Sequence, residues 1–281
     1  MNESEILIIG ANGQLGSELQ KKYPNAVAVD SDQLDITNQQ ALNNFDWSGI
    51  KIIINAAAYT NVDGAETPQG RITAWQVNAN APANLVNIAK KHSITIVHIS
   101  SDYVFDGTNN NHNEQEPFSP LSVYGSSKAA GDIAVALNNS HYILRTSWVI
   151  GQGKNFVNTM LSLAQKGVNP TVVADQIGRL TFTSELTRAI HHLLTTNAPF
   201  GTYNVSNSGN SASWADITRQ IFQIAGVKNT VTNTTTAEYF ANKQDIAPRP
   251  LQSTLNLDKI QNIGFKSTDW QDDLKTYIVN N

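Results

Sequence analysis

The feature that most constrains this chain is a short apolar run, Ile6–Ile9, that passes directly into Gly10-Ala11-Asn12-Gly13-Gln14-Leu15-Gly16 and then into a helical pattern. A continuous, β-branched run suits a strand covered on both faces. Between such a strand and a helix, G-x-x-G-x-x-G stands where a dinucleotide fingerprint must sit. Glycines permit the tight turn and let backbone approach a pyrophosphate, while the helix N-terminus offers unpaired N–H groups and a positive dipole end. A turn that merely holds three glycines is the bland alternative, and the strand–turn–helix context speaks against it. Gly10, Gly13, Gln14, Leu15 and Gly16 are therefore cofactor candidates. About 20 residues after Gly10 the second strand ends at Asp30. A carboxylate there accepts hydrogen bonds from an adenosine ribose and repels a 2′-phosphate, which favours NADH over NADPH. The alternative is a plain loop aspartate. No arginine flanks it to clamp a 2′-phosphate, and Asp35 and Ile36 follow in a loop within reach of an adenine.

The same alternation continues downstream. Ala26–Val29, Ile52–Ile54, Ile94–Ile99 and Tyr142–Leu144 read as strands, and Leu15–Lys22, Gln39–Phe45, Ile72–Lys91 and Tyr124–Leu137 as the helices between them. Strand–helix alternation implies parallel βαβ units with right-handed crossovers. Residues 1–150 thus read as an α/β, doubly wound parallel (Rossmann) domain that binds a dinucleotide. Residues 151–281 read as a smaller C-terminal substrate-binding lobe that returns some elements to the first sheet. In that lobe, strands are expected at Thr171–Ala174 and Thr202–Val205, and a helix at Ser184–Leu194. Ser213–Asp216 reads as a capping box opening a helix to Ala225, and Thr268–Gln271 as the opening of the last helix. Thr108–Glu116 and Asn229–Thr236 read as surface loops.

Tyr124-Gly125-Ser126-Ser127-Lys128 places a phenol and an ammonium on one helical face. A free tyrosine, with pKa about 10, exchanges protons poorly near neutrality. A nearby Lys⁺ and a nicotinamide cation should lower that value and make Tyr124 a usable general acid. Ser101 closes the fourth strand, at the end where parallel sheets present ligand sites. A Tyr and Lys four apart are often only a surface pair; the dinucleotide loop and the strand-end hydroxyl give this pair its meaning.

With these residues in view, the chain resembles the extended short-chain dehydrogenase/reductases, and within them the dTDP-4-dehydrorhamnose reductase family. The likeness runs nearly end to end, through GANGQLG (Gly10–Gly16), LDITN (Leu34–Asn38), NAAAYTNVDGAE (Asn55–Glu66), VNANAP (Val77–Pro82), SSDYVFDG (Ser100–Gly107), PLSVYGSSKAAGD (Pro120–Asp132), RTSWVIG (Arg145–Gly151), NFVNTM (Asn155–Met160), DQIG (Asp175–Gly178), GTYNVSNSG (Gly201–Gly209) and RPLQSTL (Arg249–Leu255). The resemblance implies hydride transfer from NADPH or NADH to C4 of dTDP-4-dehydro-L-rhamnose. Tyr124 would protonate the alkoxide, Lys128 would lower the Tyr pKa and hold the nicotinamide ribose, and Ser101 would hydrogen-bond the C4 oxygen. It further implies that Gly13, Gln14 and Leu15 line the pyrophosphate, and that Asp30, Asp35 and Ile36 lie along the adenosine half. Ala57, Ala58 and Thr60 would border the rest of the cofactor, Asp102 and Trp148 would contact the sugar, and Arg249 the diphosphate.

There are departures from the family pattern. Ser101 stands where threonine is usual, Gly178-Arg179-Leu180-Thr181 replaces G-x-P-T, and Ala247-Pro248-Arg249-Pro250 replaces A-S-R-P. Glu18 and Glu185 match two acidic positions that hold a metal at the dimer interface of some members. A third carboxylate is expected in the last helix, which ends Tyr277-Ile278-Val279-Asn280-Asn281 without one. Hard cations need several oxygen ligands, so no metal and a monomer are expected.

Composition closes off other classes. A net charge of −4 argues against a nucleic-acid binder, which needs clustered Lys and Arg. No run of about 18 apolar residues is present to span a membrane, and the acidic N-terminus does not read as a signal peptide. With no cysteine, disulfides and thiolate sites are excluded. A cytoplasmic location is expected. Trp214 reads as packing, His191-His192 as helix surface, and Arg145 as a structural ion-pair partner.

Overall fold

The computed structural model describes residues 2–280. Along the chain the strands are β1 (Ile6–Ile9), β2 (Val27–Val29), β3 (Ile52–Asn55), β4 (Thr95–Ser101), β5 (His141–Thr146), β6 (Val149–Ile150), β7 (Thr171–Val173), β8 (Ile177–Gly178), β9 (Thr181–Phe182), β10 (Gly201–Asn204), β11 (Ala212–Ser213) and β12 (Thr232–Thr234). The helices are α1 (Gln14–Lys22), α2 (Gln39–Asn44), α3 (Pro68–Trp75), α4 (Ala81–His92), α5 (Val123–Ala136), α6 (Phe156–Gln165), α7 (Thr183–Thr195), α8 (Trp214–Ile224), α9 (Thr236–Phe240), α10 (Asp258–Asn262) and α11 (Trp270–Val279).

Six strands form one parallel sheet in the order β10-β5-β4-β3-β1-β2. Its two faces follow from the two-residue period of a strand. Ile6, Ile8, Ile54, Val97 and Leu144 pack on Leu15, Leu19, Leu186 and Ile190 of α1 and α7. Their neighbours Leu7, Ile53, Ile96 and Ile143 pack on Leu42, Leu85, Val86, Ile88 and Val135 from the helices of the opposite face. Each such side chain contributes roughly 1.5–3 kcal/mol on burial, so the sheet is fixed from both sides. The strand order reverses at β1, which pairs with β2 on one side and β3 on the other. At such a switch point the crevice beyond the carboxyl ends is left open for a ligand.

A further core lies in the C-terminal half, where Ile150, Val157, Leu180, Phe182, Ile217, Ile221, Phe222, Trp270 and Leu274 pack together. The Ser213 capping box on α8 forms as expected. The last helix is capped differently: Asp269 accepts from the Gln271 N–H, while Thr268 presents its hydroxyl to Arg188. The Asn229–Thr236 segment is not all loop, because β12 pairs in parallel with β7. The expected 72–91 helix begins earlier, at Pro68, and is broken by a π-helical turn over Gln76–Asn80. Pro82 has no N–H to give the Asn78 carbonyl, and a widened turn absorbs that loss.

Candidate active site

The three loop glycines have three different jobs. Gly10 sits at φ +81°, and a Cβ there would meet Ala57 N at 2.7 Å. A Cβ on Gly16 would lie 2.1 Å from the Gly10 carbonyl oxygen, so this position seats α1 against the loop. Gly13 meets only Gly10 O, at 3.3 Å, and is otherwise open. Gly13 is also the N-cap of α1 and supplies no side-chain cap. The first N–H groups of α1 are thereby left for an anion.

Gly13, Gln14 and Leu15 line one wall of a cleft of about 660 Å³ at the carboxyl ends of β1, β3, β4 and β5. Ala58 and Thr60 line it from the segment after β3, Ser101 and Asp102 from the end of β4, and Tyr124 and Lys128 from α5. Trp148 closes it from the segment after β5. Gly10, Gly16 and Ala57 shape the wall from behind. Buried without a hydrogen-bond partner are Gln14 Oε1, Thr146 Oγ1 and Ser147 Oγ, all from cleft residues. Unpaired buried polar atoms are costly, and beside an open glycine loop they fit a polar dinucleotide. Sequence reasoning missed Thr146 and Ser147, although both follow the rule that picked Ser101: a hydroxyl where a parallel strand ends.

Asp30, Asp35 and Ile36 sit outside the lining of this cleft. Asp30 Oδ2 accepts from the Asn12 N–H at 2.9 Å and Oδ1 from the Ser31 N–H at 2.8 Å. These bonds hold its carboxyl below the usual range. Asp35 closes its own turn through Thr37, and Ile36 is buried in the core.

Helix α5 delivers Tyr124 and Lys128. Its N-cap Ser122 accepts from Gly125 N at 3.1 Å. A Cβ on Gly125 would stand 2.2 Å from the Tyr103 carbonyl, so only glycine lets the helix approach the end of β4 this closely. The Tyr124 ring meets Tyr103 edge-on, with centroids 5.5 Å apart. Lys128 is buried and donates from Nζ to Ile99 O at 2.6 Å. The Ser101 hydroxyl donates to Asp102 Oδ1 at 3.1 Å and accepts from Tyr103 N at 3.2 Å. Burial pushes the Tyr124 phenol up to about 12, opposed by the Ser101 hydroxyl. Lys128 is not among the groups that set this value in the chain by itself, whereas the expected lowering is by Lys128 and a nicotinamide cation together. Burial brings the ammonium itself down to about 8, opposed by Asp132, so that near neutral pH the amine is still mostly charged. Asp102 is raised to about 6, chiefly by burial.

Trp148 adopts a left-handed backbone, φ +47°, and its ring stacks on Trp214 with centroids 3.8 Å apart and planes 20° apart. Trp214 is held in turn by Phe156 at 4.3 Å. Trp214 is thus packing, and what it packs against is the cleft wall. Arg249 lies outside the cleft lining and donates from Nη2 to Asp63 Oδ2 at 2.8 Å, which ties the C-terminal half to the segment after β3. Of the departures, Leu180 is buried in the C-terminal core, and Arg179 hydrogen-bonds the Leu255 carbonyl. Arg145 pairs with Asp132, while His191 and His192 turn to Tyr23 and the Ile263 carbonyl.

The last helix does bring a carboxylate toward the expected pair. Asp273 lies beside Glu185 and shares a cavity wall with Glu18. Each already has partners: Lys21 for Glu18, Arg188 and Thr268 N for Glu185, and Asn207 for Asp273. Among the described residues, no group of three or more His, Asp or Glu is arranged to hold a metal ion. No helix of the described chain is long and apolar enough to cross a membrane.

A parallel doubly wound sheet, an open glycine loop on a helix N-terminus and a Ser, Tyr and Lys set in one cleft define a dinucleotide-binding protein of the short-chain dehydrogenase/reductase type. More narrowly, the chain belongs to the family described as RmlD substrate binding domain, whose model matches residues 4–281. It is 37% identical to the dTDP-4-dehydrorhamnose reductase of Aggregatibacter actinomycetemcomitans, with 97% of both chains covered. It is 34% identical to the spore coat polysaccharide biosynthesis protein SpsK of Bacillus subtilis, covering 98% of this chain and 97% of that one. A crystal structure of dTDP-4-dehydrorhamnose reductase from Bacillus anthracis in complex with NADP superposes with a TM-score of 0.90 at 35% identity, over 98% of this chain and 99% of that one.

Proposed function

We propose that this chain reduces the C4 ketone of dTDP-4-dehydro-L-rhamnose to give dTDP-L-rhamnose. The observation that carries this reading is the meeting of the Gly13–Leu15 loop with Ser101, Tyr124 and Lys128 in one cleft under Trp148. NADPH or NADH, when bound, supplies the hydride that C4 receives. Gly13, Gln14, Leu15, Ala58 and Thr60 hold the cofactor, with Gly10, Gly16 and Ala57 fixing the wall behind it and Asp30 bracing the loop. Lys128, anchored on Ile99 O, presents its remaining N–H groups to the ribose. Ser101 donates to the C4 oxygen, Tyr124 gives that oxygen its phenolic proton, and the product is the C4 alcohol. Trp148 and Asp102 bound the sugar, and Arg249, with its fork suited to phosphate oxygens, takes the diphosphate. Residues 1–150 serve the cofactor and 151–281 chiefly the substrate.

We take a monomer as the working unit because Glu18, Glu185 and Asp273, the carboxylates nearest a metal-bridged arrangement, are each engaged within the chain by Lys21, Arg188 and Asn207; a sedimentation profile showing an EDTA-sensitive dimer would overturn that. A cofactor-linked sugar-nucleotide step and a chain without cysteine support a cytoplasmic site of action. The test of function is consumption of NADPH and NADH, measured separately, with the 4-dehydrorhamnose nucleotide. Stoichiometric cofactor oxidation by the chain alone supports the reading. Retained, tightly held NAD⁺ with no net consumption would point to an epimerase or dehydratase instead, and no turnover at all to a regulatory subunit.

A further inference from the structure

Beneath the cleft lies a buried charge arrangement that the reaction described above does not use. Asp132 stands one helical turn after Lys128 on α5, as Lys128 stands one turn after Tyr124, so all three share a face. Lys128 and Asp132 are 2% and 1% exposed. Asp132 Oδ2 accepts from Arg145 Nε at 3.0 Å. Arg145 is itself pinned on β5: its Nη1 donates to Glu114 O at 3.2 Å, and its guanidinium lies over the rings of Phe105 at 5.2 Å and Phe118 at 4.9 Å. The carboxylate is therefore fixed by a cation that cannot swing away.

We propose that Asp132, tethered by Arg145, is a positioning residue that keeps the Lys128 side chain charged and directed into the cleft. Resting on the reductase reading, the assignment follows from the surroundings of the ammonium. On α5 it shares a face with Tyr124 and Asp132, His98 of β4 is buried next to it, Asp102 lines the same cleft, and Arg145 of β5 reaches the arrangement through Asp132. His98 accepts from Asn55 Nδ2 at Nδ1, since Asn55 Oδ1 is taken by Ala57 N, and burial next to Lys128 keeps the imidazole neutral. Asp102 is engaged by Ser101 and raised by burial. Burial drives the Lys128 ammonium toward its neutral form, and Asp132 is the group that opposes it. A buried cation without a compensating anion sheds its proton.

The experiment is the pH profile of single-turnover hydride transfer with cofactor and sugar nucleotide saturating, for wild type, Asp132→Asn and Asp132→Glu. In Asp132→Asn the alkaline limb should move to lower pH by on the order of one unit, a loss of about fivefold relative to wild type at the wild-type midpoint, with cofactor Kd weakened alongside. Asp132→Glu should restore the wild-type limb. Because Asp132→Asn leaves Arg145 buried and unpaired, the double variant Asp132→Asn/Arg145→Gln repeats the test with neither charge, and its limb should shift the same way. A rate that drops uniformly across pH, with the limb in place in either variant, would show a merely structural ion pair and overturn the proposal. If wild type consumes no cofactor with this sugar, the reductase reading fails instead. The Asp132 assignment is then read from cofactor binding alone, whose pH dependence should shift in the same variants; an unshifted dependence overturns it.

Discussion

The Lys128 ammonium is hydrogen-bonded to the carbonyl of Ile99, two residues before Ser101 on the same strand. One 2.6 Å contact thus links the helix that carries Tyr124 to the strand that carries Ser101. The proposed catalytic set is held together through backbone, and its members are expected to respond differently to substitution.

Tyr124→Phe keeps the edge-on packing against Tyr103 and removes the proton donor. We expect kcat to fall by at least about 10²-fold, the usual scale for general acid catalysis, with cofactor affinity little changed. Single-turnover hydride transfer isolates the step. A rate within about threefold of wild type would remove Tyr124 from the role. Ser101→Ala should cost roughly 1.5–3 kcal/mol in the same assay, and Ser101→Thr should be close to neutral.

Lys128 carries a pH and a stability consequence of opposite sense. Its folded value, about 8, lies below the ordinary lysine value of 10.5. The folded state therefore binds fewer protons than the unfolded state between these values, and stability rises with pH across that window. Activity should fall across its lower part as the ammonium is lost. Lys128→Met should abolish turnover and weaken cofactor binding while raising Tm at pH 7, because a buried, partly compensated cation is removed. Calorimetry at pH 7 and pH 10 checks the sign; a Tm gain that does not shrink at the higher pH contradicts it.

Asp30 braces the glycine loop through Asn12, and we propose that it also faces the adenosine side of the cofactor. Asp30→Ala should weaken both cofactors, since the loop loses its tie to the end of β2. It should weaken NADH more than NADPH, because repulsion of a 2′-phosphate is relieved at the same time. The ratio of kcat/KM values for the two cofactors reports this. An unchanged ratio leaves Asp30 with the bracing role only.

Trp148→Ala should raise KM for the sugar nucleotide by about tenfold or more while leaving cofactor Kd within about twofold, since aromatic contacts are worth about 0.5–1.5 kcal/mol beyond their buried area. Trp214→Phe keeps a ring behind Trp148 and should cost less than Trp214→Ala, which removes the support on which the Trp148 indole rests. Equal KM values for the two Trp214 variants would separate the stack from substrate binding.

Much of the fold was legible in the chain because its signals are local. Continuous β-branched runs name the strands of a doubly covered sheet, and Gly10–Gly16 name the turn that only glycines can make. The spacing of Tyr124 and Lys128 follows from one helical turn. The elements misjudged were those whose partners lie far off in sequence. β12 has no apolar run and exists because β7 offers its edge, the break at Gln76–Asn80 depends on how Pro82 meets its own helix, and Thr268 gave up capping because Arg188 needed its hydroxyl. The same division holds at the site. Residue types and their order were set by the sequence alone. The pKa of Tyr124, the backing of Trp148 by Trp214 and the engagement of Arg249 by Asp63 arise only when distant segments bury one another, since desolvation and pairing depend on what surrounds a group in space and not on what precedes it in the chain.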